Sequence, residues 1–112
     1  MSHMDHFSAL AEPHRRRMVE LLAQGPRAAG TIAAEFQLSA PAVSQHLKVL
    51  RDSGLVRVEV DGQRRIYRLN PSGLDEMNEW LAQVRAFWSR RLDRLEAAIA
   101  AEKAAKGKGE NR

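Results

Sequence analysis

Ser44, Gln45 and Lys48 fall on one side of the segment Pro41 to Leu50, and Val43, Leu47 and Leu50 fall on the other. At about 100° per residue that spacing makes a helix with one apolar and one polar side. The polar side also holds Pro41 and carries no bulky apolar group. Ser and Gln donate and accept hydrogen bonds, as the edges of base pairs require, and Lys adds a contact to phosphate or guanine. Ser39 and Ala40 lie at the head of this segment. His46 borders its apolar side and reads as a packed or phosphate-contacting residue. A second polar group, Gln63, Arg64, Arg65 and Arg68, follows a tight turn further on. A solvated helix face and arginines kept for solubility are the alternative reading of both groups.

Other chemistry is poorly served. Ser44 and His46 are two apart on a helix and point to different faces, so they do not make a nucleophile–base pair. The chain has no cysteine, which removes disulfides, thiolate metal sites and thiol redox chemistry. No glycine-rich phosphate loop is present, and no enzymatic activity is expected. Asp75, Glu76 and Glu79 stand near the start of the last helix without a histidine. Carboxylates alone suit calcium, magnesium or manganese, and the helix macrodipole accounts for them there. His6 and His14 sit on different predicted helices and read as surface residues. No metal and no cofactor is expected.

Length and composition set the frame. The chain has 112 residues, 44% of them hydrophobic, with a net charge of +4. One domain fits that length, and the basic balance suits a polyanionic partner without requiring one. No apolar run approaches the roughly 20 residues that cross a bilayer, so no membrane partner is expected. With no signal-peptide core and no cysteine, a cytoplasmic location is expected. Met1-Ser2-His3-Met4 reads as a cloning scar, and residues 1–4 are set apart for that reason.

Several elements must position the polar groups. Phe7, Leu10 and Ala11 suggest a short first helix. Pro13 opens a second, with Met18, Leu21 and Leu22 as its stripe and Gln24-Gly25-Pro26 as its end. Ile32, Ala33 and Phe36 mark a third helix, and Gln37-Leu38-Ser39 is the turn after it. Ser39 caps the polar-faced fourth helix. Leu55 to Val60 reads as a strand, Asp61-Gly62 as a hairpin turn, and Arg64 to Leu69 as the return strand. Asn70 and Pro71 open a last helix of about 30 residues. Its stripe runs through Met77, Trp80, Leu81, Val84, Phe87, Trp88, Leu92, Leu95 and Ile99. Such an aromatic-rich stripe is typical of a protein interface. Residues 103–112 lack apolar side chains after Ala105 and read as a disordered basic tail, which leaves 5–102 as the folded domain. The predicted class is mainly α with a two-stranded β-hairpin. Two helices joined by a short turn and followed by a basic hairpin make a winged helix-turn-helix.

The run Ala40-Pro41-Ala42-Val43-Ser44-Gln45-His46-Leu47-Lys48-Val49-Leu50, continuing to Val56, resembles the recognition helix and first wing strand of the ArsR/SmtB family of bacterial repressors. Glu12-Pro13-His14-Arg15-Arg16-Arg17 resembles the start of that family's second helix, and Gly62 to Leu69 resembles its wing. The resemblance implies a homodimer that represses transcription by covering a palindromic stretch of double-stranded DNA. It implies DNA contacts by Ser39, Ala40, Pro41, Ser44, Gln45, His46, Lys48, Gln63, Arg64 and Arg65. It also implies a long C-terminal dimerisation helix paired with the first, through Phe7, Leu10, Trp80, Val84, Phe87, Trp88 and Leu95. The family's metal ligands, cysteines on the third helix or histidines on the last, are absent here. Zinc, arsenite and cadmium are accordingly not expected to release the protein from DNA. The stretch around Trp80-Leu81 and Phe87-Trp88 resembles the metal-independent branch of SdpR-like autorepressors. Control by a protein partner, a small molecule or the protein's own concentration stays open, and a non-specific architectural DNA binder is the alternative function.

Overall fold

Proline and cap residues punctuate the computed structural model, which describes residues 3–110. The elements are α1 (His3–Ala9), α2 (Pro13–Ala23), β1 (Arg27–Ala28), α3 (Ala29–Phe36), α4 (Ala40–Asp52), β2 (Val56–Asp61), β3 (Arg64–Leu69) and α5 (Pro71–Glu110). Glu12 caps α2 by accepting the Arg15 amide at 2.9 Å. Ser39 caps α4 by accepting the Ala42 amide at 3.3 Å. Both helices start with proline in the first turn, where no N–H is needed. Between α3 and α4, Gln37 adopts a left-handed conformation, φ 53°, and turns the chain.

The sheet has three strands, not two. β3 lies between β2 and β1, all antiparallel, with Arg27 opposite Tyr67 and Ala28 opposite Ile66. A strand of two residues has no period to detect, so only the pairing reveals it. The hairpin turn is also one residue further along than the Asp61-Gly62 signal suggests. Asp61 pairs with Arg64, leaving Gly62 and Gln63 as the two central residues. Of these only Gly62 has positive φ, 63°, the pattern of a glycine-first type II′ turn.

Met18, Leu22, Ile32, Val43, Leu47, Leu50, Leu55, Val56, Tyr67 and Met77 form one buried cluster with Ala9. His6, expected at the surface, is fully buried, with its Nε2 3.6 Å from a Glu76 carboxylate oxygen. The first helix is short, and α1 presents this face inward beside Ala9. Met77, read as part of the terminal stripe, is buried in the core instead.

Residues up to Asn78 form one compact unit, and α5 from Glu79 onward forms a second. The helix is 40 residues long and reaches Glu110. It therefore continues through 103–110, where composition predicts a disordered tail; the run Ala101 to Ala105 and the Glu102–Lys106 pair at 3.5 Å are helix-favouring features. Residues 1–2, half of the suspected cloning scar, and residues 111–112 lie outside the described residues. Among the described residues no helix is long and apolar enough to cross a membrane.

The start of α5 is locked to the turn after α4. The Asn70 amide nitrogen of the side chain donates to the Gly54 carbonyl at 2.9 Å, and the Asn70 backbone N–H donates to the Leu55 carbonyl at 2.9 Å. Asn70 Oδ1 also accepts the Ser72 N–H at 3.3 Å. Gly73 packs against the same peptide so closely that an added Cβ would lie 2.1 Å from the Gly54 oxygen. Gly73→Ala is expected to destabilise the protein by about 1–3 kcal/mol through overpacking, measured as a lowered urea midpoint at unchanged slope.

Candidate nucleic-acid interface

Leu47 and Leu50 of α4 are fully buried and Val43 nearly so, which fixes the helix's rotation. Ala40, Pro41, Ser44, Gln45, Lys48 and Arg51 are all exposed as a result. Ser39 is exposed too, and its oxygen is occupied as the cap while its hydroxyl hydrogen stays available. On the hairpin, Gln63, Arg64 and Arg65 are exposed around the turn.

Two grooves connect these groups. Ser44, Leu47, Lys48, Arg51, Arg65 and Tyr67 line a groove of about 180 Å³ between α4 and β3. Three cations from two elements converge there, and Asp52 approaches Arg51 at 3.9 Å. A second, wider groove of about 590 Å³ runs between Gln63, Arg64 and Arg65 and the first turn of α3, Ala28 to Thr31. No side chain caps α3. Arg51 was missed in the sequence reading; it stands three residues after Lys48, a spacing that shares a helix face.

Two expected members behave differently. Arg68 gives its guanidinium to Glu59 across the hairpin at 3.1 Å. His46 turns from the Ser44–Lys48 face toward α2. Its Nδ1 accepts from Arg15 Nη1 at 3.3 Å and lies 3.8 Å from Glu12 Oε2. Its ring stacks on His14, with centroids 5.7 Å apart and planes at 26°. Separation along the chain hid this grouping of Glu12, His14 and His46. Partial burial alone would raise the Glu12 carboxyl. Hydrogen bonds from His14 and the Arg15 amide, with the charges of His14 and His46, hold it below the ordinary value of 4.5.

On α5, Phe87 is 61% exposed, Trp88 56% and Leu95 56%, and Leu81, Val84, Leu92 and Ile99 are exposed beside them. Trp80 is half-buried. Phe7 and Leu10 are partly buried against the core.

A family model described as the bacterial regulatory protein, arsR family, matches residues 12–58. An HTH-type transcriptional regulator of Mycobacterium tuberculosis, Rv2034, is 46% identical over 77% of this chain and 78% of its own length. The chain belongs to the ArsR family. The transcriptional repressor SdpR of Bacillus subtilis is 35% identical over 67% of this chain and 83% of its own. An ArsR-like transcriptional regulator from Rhodococcus sp. RHA1 superposes with a TM-score of 0.74 at 27% identity, over 83% of this chain and 88% of that one. The homodimeric winged helix-turn-helix DNA-binding domain of a Mycobacterium bovis protein superposes at 0.59 with 28% identity, over 81% and 82%. This ArsR-family chain is thus a winged helix-turn-helix regulator of transcription, in which α4 is the second helix of the helix-turn-helix and β2 and β3 form the hairpin that follows it.

The Glu12 shift has a consequence for acid stability. A carboxylate whose pKa is lowered on folding contributes stability that is complete above its ordinary value of 4.5 and is lost as pH falls through the lower folded value. The stability deficit of Glu12→Gln relative to the unsubstituted protein is expected to shrink as pH falls from that ordinary value through the lower folded one, read from unfolding midpoints across acid pH.

Proposed function

We propose that this ArsR-family protein is a homodimeric repressor that reads an inverted-repeat operator with α4 and holds the DNA backbone with the wing. The observation that carries the reading is the exposed polar face of α4, with Lys48 and Arg51, beside Arg65 of the wing in one groove. Ser44, Gln45 and Lys48 are placed to reach base edges in the major groove. Arg51 and Arg65, facing each other across the smaller groove, are placed for a phosphate, and Arg64 for the backbone or a narrow minor groove. Ser39, Ala40, Pro41 and Gln63 line the approach.

A second copy of the chain is the natural cover for the exposed stripe on α5. Leu81, Val84, Trp88, Leu92, Leu95 and Ile99 recur at spacings of three and four, as helices that pair through a seam require. Trp80 belongs to the same α5 stripe, and Phe7 and Leu10 of α1 are proposed as further dimer contacts. Two recognition helices would then enter successive major grooves about 34 Å apart. The half-sites of the operator would be centred about one helical turn apart.

Mobility shifts with the protein's own upstream region and with scrambled duplex test the reading. Equal affinity for both would replace it with an architectural, non-specific binder. Gln45→Ala is expected to lose discrimination at one symmetric pair of positions, at a cost of about 1–3 kcal/mol per half-site. Arg51→Ala is expected to weaken both duplexes alike and to lower the salt slope by about 0.9 per chain. Sedimentation is expected to give a dimer at micromolar concentration. Phe87→Ala and Trp80→Ala are each expected to weaken it, by up to about 3–5 kcal/mol where the ring is fully covered.

A further inference from the structure

We propose that Glu12, His14 and His46 form a binding site for a divalent transition-metal ion of the zinc, cobalt or nickel class, built between the start of α2 and the inner edge of α4. Each offers one ligand atom, and the three atoms lie within 4.8 Å of one another. They are two imidazole nitrogens and a carboxylate oxygen, a donor set that suits zinc and its neighbours and not calcium or magnesium. Zinc–nitrogen and zinc–oxygen bonds of about 2.0–2.1 Å put neighbouring ligands of a tetrahedron about 3.3 Å apart. His14 Nδ1 lies 2.9 Å from Glu12 Oε1, close to that value, and with all three ligand atoms within 4.8 Å of one another side-chain rotation alone can bring His46 to the same ion. The side chains are 38%, 29% and 20% exposed for His14, Glu12 and His46, open enough for an ion to enter and a water to complete its shell.

The surroundings already orient the ligands. The Arg15 amide holds Glu12 Oε2 at 2.9 Å, which leaves Oε1 for the ion. The ion replaces the proton shared between His14 Nδ1 and Glu12, so binding releases a proton. It also takes the place of Arg15 Nη1 on His46 Nδ1; Arg15 keeps its Nε hydrogen bond to the Ala9 carbonyl at 2.6 Å. That nearby guanidinium opposes the ion's charge, so the site is of exchangeable rather than structural affinity. This site lies apart from α3 and α5, where the family's cysteine and histidine ligands are absent, and it departs from the expectation that the chain holds no metal, while the expectation about release from DNA is a separate matter.

Cobalt titration of the free protein tests the site without reference to DNA. A His3→Ala background removes a competing terminal imidazole. One equivalent of Co²⁺ is expected to bind with a dissociation constant of about 10 μM or tighter, with the visible absorption of a tetrahedral centre that Zn²⁺ abolishes. His14→Ala, His46→Gln and Glu12→Gln are each expected to weaken binding at least about tenfold. Zn²⁺ is expected to raise the melting temperature of the starting protein and not of His14→Ala; that half-exposed substitution leaves the core intact. Absence of a one-equivalent tetrahedral spectrum, or unchanged affinity in His14→Ala, would overturn the proposal and leave the three side chains as a hydrogen-bonded link between α2 and α4.

Discussion

One peptide, that of Gly54, holds the winged helix together. The last turn of α4, the beginning of β2, the end of β3 and the first turn of α5 all meet at it. Asn70 donates to its carbonyl, Gly73 lies against it with no room for a side chain, and Leu55 beside it accepts the Asn70 N–H while donating to Leu50. A helix fixed there brings Met77 into the core. The orientation of α4, and so of Ser44, Gln45 and Lys48, follows from the same packing, because Leu47 and Leu50 are buried immediately ahead of it.

The basic charge of this chain divides into structural and available parts. Arg15 and Arg16 reach back to the carbonyls of Ala9, Leu10 and Ala11 and close the end of α1. Arg17 lies over the Phe36 ring at 5.4 Å, and Arg68 is paired with Glu59. Lys48, Arg51, Arg64 and Arg65 are the cations gathered at the grooves beside α4 and the wing. Net charge alone does not separate the two sets, whereas packing does: a guanidinium with an internal acceptor has already spent the geometry that a phosphate would use.

Much of the architecture was legible in the sequence because its signals are local. Ser39-Ala40-Pro41 announces a capped helix, Val43, Leu47 and Leu50 set its rotation, and Gly62 marks the hairpin. The remainder depends on contacts distant in sequence. β1 exists only because Arg27 and Ala28 pair with Ile66 and Tyr67. His6 is buried where α1 packs beside α4, with Glu76 of α5 3.6 Å away, and His14 meets His46 across 31 intervening residues that no periodicity connects. Arg51 is legible in the sequence too, since it follows Lys48 by three residues on the same helix face. The terminal helix outran its apolar stripe because alanine and the Glu102–Lys106 pair favour helix without any core to face.

The position of β2 at the outside of the sheet has a bearing on association. Its outer edge bears backbone donors and acceptors that pair with nothing in the described sheet, the pattern that invites an additional strand. β2 is only six residues long, and Arg57, Glu59 and Asp61 place alternating charges along it. A short edge strand with charged side chains at alternate positions is one of the usual guards against edge-to-edge pairing. Protection from aggregation is thus written into the hairpin itself, and apolar self-association is left to the helical end of the chain.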